Sequence, residues 1–180
     1  MEKLLNYRRV DPKFSISGGW DNLYENIDFL KSEKIVAVLD VQWVDWDSDN
    51  VIHQVKQACA DEDIELVPIR FDDGINENMR RTREIIEQGR DEIERLVEKY
   101  PDKKQRILIK CAAGISRSPT MYLAYIAKRD RLIFEEAKAT LDDAEYRLGY
   151  GYGDFWGNSP NFFFRKILRE MYGSYWEESA

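Results

Sequence analysis

Three short apolar runs, each followed by a stretch with helical spacing, constrain this chain more than any other feature. Lys34–Val41 (KIVAVLDV), Ile64–Ile69 (IELVPI) and Arg106–Lys110 (RILIK) are too short for typical helices and rich in β-branched residues. Such runs are expected to be strands, the first and the third of them buried. Between them, Ser48–Ala60 repeats Val51, Val55 and Ala58–Cys59 at a 3.6-residue period. Asn76–Tyr100 places Ile85, Ile86, Ile93 and Leu96 on one side, carries charge pairs such as Arg81/Glu84 on the other, and stops at Pro101. After the third run, helices are expected over Ser118–Arg129, with Pro119 in the first turn, over Phe134–Asp143, and over Pro160–Tyr172. Ahead of the first run, Phe14–Gly18 alternates and ends at Gly18–Gly19, which predicts a short edge strand. Asp21–Ser32, with Leu23, Ile27 and Leu30 on one face and Asp21 as N-cap, predicts a helix.

Strands alternating with helices specify an α/β fold: a central, largely parallel sheet flanked by helices. With 180 residues, the expectation is one domain over residues 1–180. Ligands in such sheets bind beyond the C-terminal strand ends. Three loops should therefore share one edge: Gln42–Asp47, Arg70–Ile75 and Cys111–Arg117.

Composition removes several classes of function. A net charge of −7 counts against general nucleic-acid binding, which depends on neutralising phosphates. One histidine and two cysteines, Cys59 and Cys111, exclude a multi-histidine metal site, a Cys-rich zinc site and a disulfide framework. No apolar run approaches the ~20 residues of a membrane span. Met1–Arg9 is mixed and charged, unlike a secretory leader, so an intracellular, cytoplasmic location is expected.

The third loop carries the chemistry. Lys110-Cys-Ala-Ala-Gly-Ile-Ser-Arg-Ser-Pro119 puts a cysteine at a strand end, five residues in a turn, and an arginine at a helix start. A tight loop entering a helix N-terminus directs successive backbone N–H groups inward and forms an anion nest. Gly114 permits the backbone angles this turn needs. Arg117 adds a planar fork matched to two phosphate oxygens. The same positive surroundings favour the thiolate of Cys111, a nucleophile for a bound phosphoryl group.

Cys111–Thr120 (CAAGISRSPT) closely resembles the signature loop of the dual-specificity branch of the cysteine-based protein tyrosine phosphatases. Tyr122–Ile126 is similar to that family's following helix, and Tyr24–Val41 to its first helix and strand. Asn161 and Phe164, after Pro160, resemble its Pro-Asn-x-x-Phe pattern. The resemblance implies a cysteine-phosphatase-like fold and a metal-independent phosphomonoesterase with no cofactor. It implies Cys111 as nucleophile and a phosphate cradle of Ala112, Ala113, Gly114, Ile115, Ser116 and Arg117. Ser118 would hydrogen-bond the cysteine sulfur and ease its departure.

Proton donation to the leaving oxygen needs an acid. The Arg70–Ile75 loop holds two, and the family's position for it matches Asp73, with Asp72 as the alternative. One departure stands out: where the family has histidine before the cysteine, this chain has Lys110. That histidine helps order the loop and favour the thiolate, so Lys110 bears on rate more than on reaction class.

The residues between Cys111 and Arg117 carry no charge, whereas relatives acting on inositol phospholipids tend to carry lysines there. The expected partner is thus a phosphoprotein or phosphopeptide bearing phosphotyrosine, phosphoserine or phosphothreonine. Alternatives are a catalytically weak phosphate-binding module and a phosphatase of nucleic-acid 5′ ends, the latter disfavoured by acidity. Trp43 and Trp46 either wall the substrate or pack under the site edge. Asp45 and Asp47, if exposed, would favour basic residues beside the phosphate. The aromatics of Leu148–Trp156 and the Phe162–Phe164 run are expected to cover core. His53 is expected to be structural and Cys59 a small buried hydrophobe.

Overall fold

The computed structural model of the chain describes residues 4–19, 24–42, 50–71, 78–147 and 160–173. Its strands are β1 (Arg8–Arg9), β2 (Phe14–Ser17), β3 (Ile35–Val41), β4 (Glu65–Ile69) and β5 (Arg106–Lys110). They form one sheet in the order β1-β2-β5-β3-β4. All neighbours are parallel except β1 and β2. The three apolar runs are all strands, and β3 and β5 are central and buried, whereas β4 lies at the sheet edge with only Ile69 of its five residues buried. Phe14–Ser17 is not an edge strand. Arg8 and Arg9 pair with Ile16 and Ser15 and cover its outer side, and all four of its residues are buried.

The helices are α1 (Ile27–Ser32), α2 (Asn50–Asp61), α3 (Met79–Lys99), α4 (Arg117–Asp130), α5 (Phe134–Arg147) and α6 (Phe162–Tyr172). A short 3-10 turn, Tyr24–Asn26, precedes α1. Asp21 and Leu23, expected in that first helix, lie outside the described residues. In α3, Asn78 caps the N-terminus by accepting from the Arg81 N–H, and Glu84 pairs with Arg80. These exposed pairs add little stability.

Strand alternation sorts the core into two layers. Ala37, Leu39, Val41, Ile107 and Ile109 face one side, where α3 to α6 pack through Ile86, Ile93, Leu96, Met121, Leu141 and Phe164. Val38 and Leu108 face the other, against Leu30 of α1 and Val55 and Cys59 of α2. A register shift between Ile35 and Ala37 reverses the alternation, so Ile35 joins Val38 rather than Ala37. Removing a core side chain such as Ile86 or Ile93, both wholly buried, would cost about 2–5 kcal/mol.

α4 is buried from Arg117 through Ala127. A helix surrounded on all sides needs small or apolar residues throughout, which its sequence supplies. This encased helix gives Arg117, at its first position, a rigid base. Phe162 departs from expectation: at 72% exposed it lies off the buried face of α6, whose phase is set by Phe164, Ile167, Leu168 and Tyr172.

Candidate active site

Because β3, β4 and β5 run parallel, their C-terminal ends share one edge, and the chain there is tied together. The Phe71 N–H donates to the Gln42 carbonyl at 3.4 Å. The Phe71 carbonyl in turn accepts from Arg117 Nη1 at 2.9 Å. One residue thus connects the loops after β3 and β4 to the loop after β5. The Phe71 ring stacks on Phe164 with centroids 4.7 Å apart, which holds this junction against α6.

Cys111 follows β5 directly and is 2% exposed, and Arg117 is 5% exposed. Between them the chain turns sharply. Gly114 has φ +72°, in the left-handed region that favours glycine. The Gly114 N–H donates to Cys111 Sγ at 3.1 Å. The Gly114 N–H thus faces the sulfur from within the turn. Ala112, Ala113, Gly114, Ile115 and Ser116 all lie in this turn. The Ser116 Oγ accepts from the Asn161 N–H at 3.1 Å, and Asn161 caps α6 by accepting from the Phe164 N–H at 2.9 Å. The Asn161 and Phe164 pattern thereby fastens α6 to the loop.

Ser118 is wholly buried, and its Oγ makes no hydrogen bond among the described residues. The sulfur is contacted by the Gly114 N–H instead. Asp73 and Asp72, the candidate acids, lie outside the described residues, as do Trp43, Asp45, Trp46, Asp47 and the Leu148–Trp156 segment. His53 is exposed on α2. Cys59 is 1% exposed, and burial pushes its thiol up to about 11, with the Asp40 carboxylate acting in the same direction.

Lys110, where the resembling family has histidine, is buried within the sheet layers. There it meets Asp40 of β3, Nζ to Oδ2 at 3.2 Å, and Gln42 Nε2 also donates to that oxygen at 3.1 Å. Its charge is matched within the core.

Other supports escaped the sequence reading because they lie in the N-terminal segment. Arg8 donates to the Gly114 carbonyl at 2.9 Å and pairs with Glu145 of α5 at 2.6 Å. Asn6 Nδ2 donates to the Ala113 carbonyl at 2.8 Å, and the Gly19 N–H to the Ala112 carbonyl at 2.8 Å. The one available signal was Gly18–Gly19. A Cβ on Gly18 would meet the Ala113 carbonyl carbon at 2.4 Å, so the two backbones touch.

The sequence model of the family described as "Dual specificity phosphatase, catalytic domain" matches residues 21–171. This chain belongs to the dual specificity phosphatases. No curated protein matches this phosphatase by sequence search. Among solved structures, it is similar to human DUSP28 at 16% identity, covering 93% of each chain with a TM-score of 0.64. A mouse putative dual specificity phosphatase, solved with zinc tungstate, is 16% identical. That match covers 93% of this chain and 86% of the other, with a TM-score of 0.65. PTPMT1 in complex with PI(5)P is 17% identical over 93% and 94% of the two chains, with a TM-score of 0.62. These likenesses establish the fold: a mixed five-stranded sheet flanked by helices, as in the cysteine phosphatases. Among the described residues of this phosphatase, no helix is long and apolar enough to cross a membrane.

Proposed function

We propose that residues 1–180 form one catalytic domain that hydrolyses phosphate monoesters on proteins through a cysteinyl-phosphate intermediate. The Gly114 N–H on the Cys111 sulfur, in a turn closed by an anchored Arg117, is the observation that carries this reading. Cys111 Sγ donates its electron pair to phosphorus while the ester P–O bond breaks. Asp73 gives its proton to the departing alcohol or phenol. Water then attacks phosphorus and gives a proton to Asp73. The P–S bond breaks, and phosphate leaves with the sulfur returned as thiolate. Arg117 and the backbone N–H groups from Ala112 to Arg117 hold the equatorial oxygens, a preorganised stabilisation of the transition state. Ser118, the residue after Arg117, supplies its hydroxyl to the departing sulfur. No step calls for a metal.

The neutral run Ala112–Ser116 supports a phosphoprotein or phosphopeptide substrate rather than a polyanionic headgroup such as the PI(5)P bound to PTPMT1. A cytoplasmic location would give access to such substrates. A second reading, phosphate binding with little turnover, draws support from Lys110, whose engagement with Asp40 replaces the family's histidine network.

Hydrolysis of p-nitrophenyl phosphate in excess EDTA tests the proposal, with Cys111→Ser and Asp73→Asn alongside. Turnover in EDTA, abolished in Cys111→Ser and reduced in Asp73→Asn, is expected. Absence of turnover from about pH 5 to 8 with vanadate still bound would select the binding module. Phosphopeptides compared with phosphoinositides then test the substrate class.

A further inference from the structure

Three consecutive carbonyls of the loop, those of Ala112, Ala113 and Gly114, are each held by a donor from the N-terminal segment. The Gly19 N–H, Asn6 Nδ2 and Arg8 Nη2 make these bonds at 2.8, 2.8 and 2.9 Å. None of the three donors falls within the matched family segment, which begins at residue 21.

The peptide bonds among the described residues are all trans. In a trans peptide the C=O of one residue and the N–H of the next point in opposite directions. Holding the three carbonyls toward the N-terminal segment therefore turns the N–H groups of Ala113, Gly114 and Ile115 to the opposite side. The middle one shows where that is: the Gly114 N–H reaches Cys111 Sγ at 3.1 Å.

The holding groups are themselves fixed. Arg8 is 2% exposed, and its Nε is paired with Glu145 Oε1 at 2.6 Å while Nη1 donates to the Asn6 carbonyl at 3.0 Å. Asn6 has φ 51°, a left-handed conformation that asparagine adopts more readily than most residues. The Leu5 carbonyl accepts from the Gly18 N–H at 2.6 Å, which closes the segment onto the strand end beside the loop.

We propose that Asn6 and Arg8 are positioning residues for the phosphate-binding loop. They hold its carbonyls outward so that the Gly114 and Ile115 amides face the Cys111 sulfur and the phosphoryl oxygens. This inference rests on the proposed phosphatase reading but concerns residues outside the matched segment, and it makes the N-terminal segment part of the catalytic apparatus.

Two variants isolate the effect. Asn6→Gly keeps the left-handed backbone and removes the amide donor. The double variant Arg8→Met/Glu145→Met removes the donor together with its buried counter-charge, so no lone charge is left inside. The readouts are vanadate affinity and the separate kcat and KM for p-nitrophenyl phosphate, with thermal melting as the control for folding. Each variant should lower kcat more than it raises KM and weaken vanadate binding about tenfold, as expected for losing one amide aligned on an anion. Asn6→Gly should do so with little change in melting. Variants that turn over and bind vanadate like wild type would overturn the inference while leaving the phosphatase reading intact. A wild type that neither binds vanadate nor turns over p-nitrophenyl phosphate would overturn both. Should the double variant fail to fold, Asn6→Gly decides alone.

Discussion

Lys110 and Asp40 face one another in the register of β5 and β3, and their charges lie 3.2 Å apart with both side chains at most 2% exposed. Burial pushes the Asp40 carboxyl up, while the Lys110 ammonium and the Gln42 amide pull it down. Removing one partner leaves a charge without compensation. Lys110→Met should therefore cost about 3–5 kcal/mol at neutral pH. A carboxyl whose pKa is raised by folding contributes stability below its unfolded value and loses it as pH rises through the folded value. Lys110→Met should thus melt at progressively lower temperature as pH rises from acidic to neutral. Replacing both residues, as Asp40→Leu/Lys110→Met, should restore stability to near wild type and flatten that dependence. Thermal melts across pH check all three outcomes.

Close backbone packing of residues 17–19 on the loop predicts that even one methyl group is disruptive. A Cβ on Gly114 would lie 2.6 Å from both the Gly18 nitrogen and the Ser17 carbonyl carbon, at a φ of +72°. Backbone cannot yield as a flexible side chain can. Gly114→Ala should cost roughly 1–3 kcal/mol from the backbone conformation alone. The displaced loop should lower kcat/KM by about a hundredfold, since misplacement on the order of 1 Å is enough for that. Turnover of p-nitrophenyl phosphate and a denaturant melt measure the two effects separately.

What the sequence revealed was local. Strands β3, β4 and β5 announce themselves because their β-branched runs are contiguous. The Cys111–Arg117 turn does so because cysteine, glycine, arginine and helix start lie within a few residues. What stayed hidden depends on partners far along the chain. Arg8 looks like a surface charge until Glu145, 137 residues away, is found beside it. Two arginines carry no strand signal, so β1 is invisible in the sequence and β2 reads as an edge. Lys110 reads as a departure from the family pattern, but its ion pair depends on register with a strand 70 residues earlier. Phe162 shares an aromatic run with Phe164, yet only the helix phase decides which ring is buried.

The two cysteines should separate cleanly by reactivity. Burial pushes the Cys59 thiol up to about 11. At neutral pH it should remain unalkylated in the folded protein, while Cys111, with an N–H on its sulfur, reacts. Because folding raises the Cys59 value, its contribution to stability is present below the ordinary thiol range and lost as pH rises toward 11. Peptide mass spectrometry after iodoacetamide treatment should find label on Cys111 alone at neutral pH. Label on both cysteines is expected after denaturation.

Ser118 offers a test in which stability and rate move apart. Its hydroxyl is wholly buried, with no hydrogen-bond partner among the described residues. Leaving a buried hydroxyl unpaired is costly, so Ser118→Ala should leave the melting temperature unchanged or raise it. If the hydroxyl donates to the sulfur as the P–S bond breaks, the same substitution should slow breakdown of the cysteinyl phosphate while sparing its formation. The expected signature is a burst of p-nitrophenol about equal to the enzyme concentration, followed by a steady rate lowered by about a hundredfold. Rapid mixing measures both phases in one trace. An unchanged steady rate with no burst would remove Ser118 from the second step.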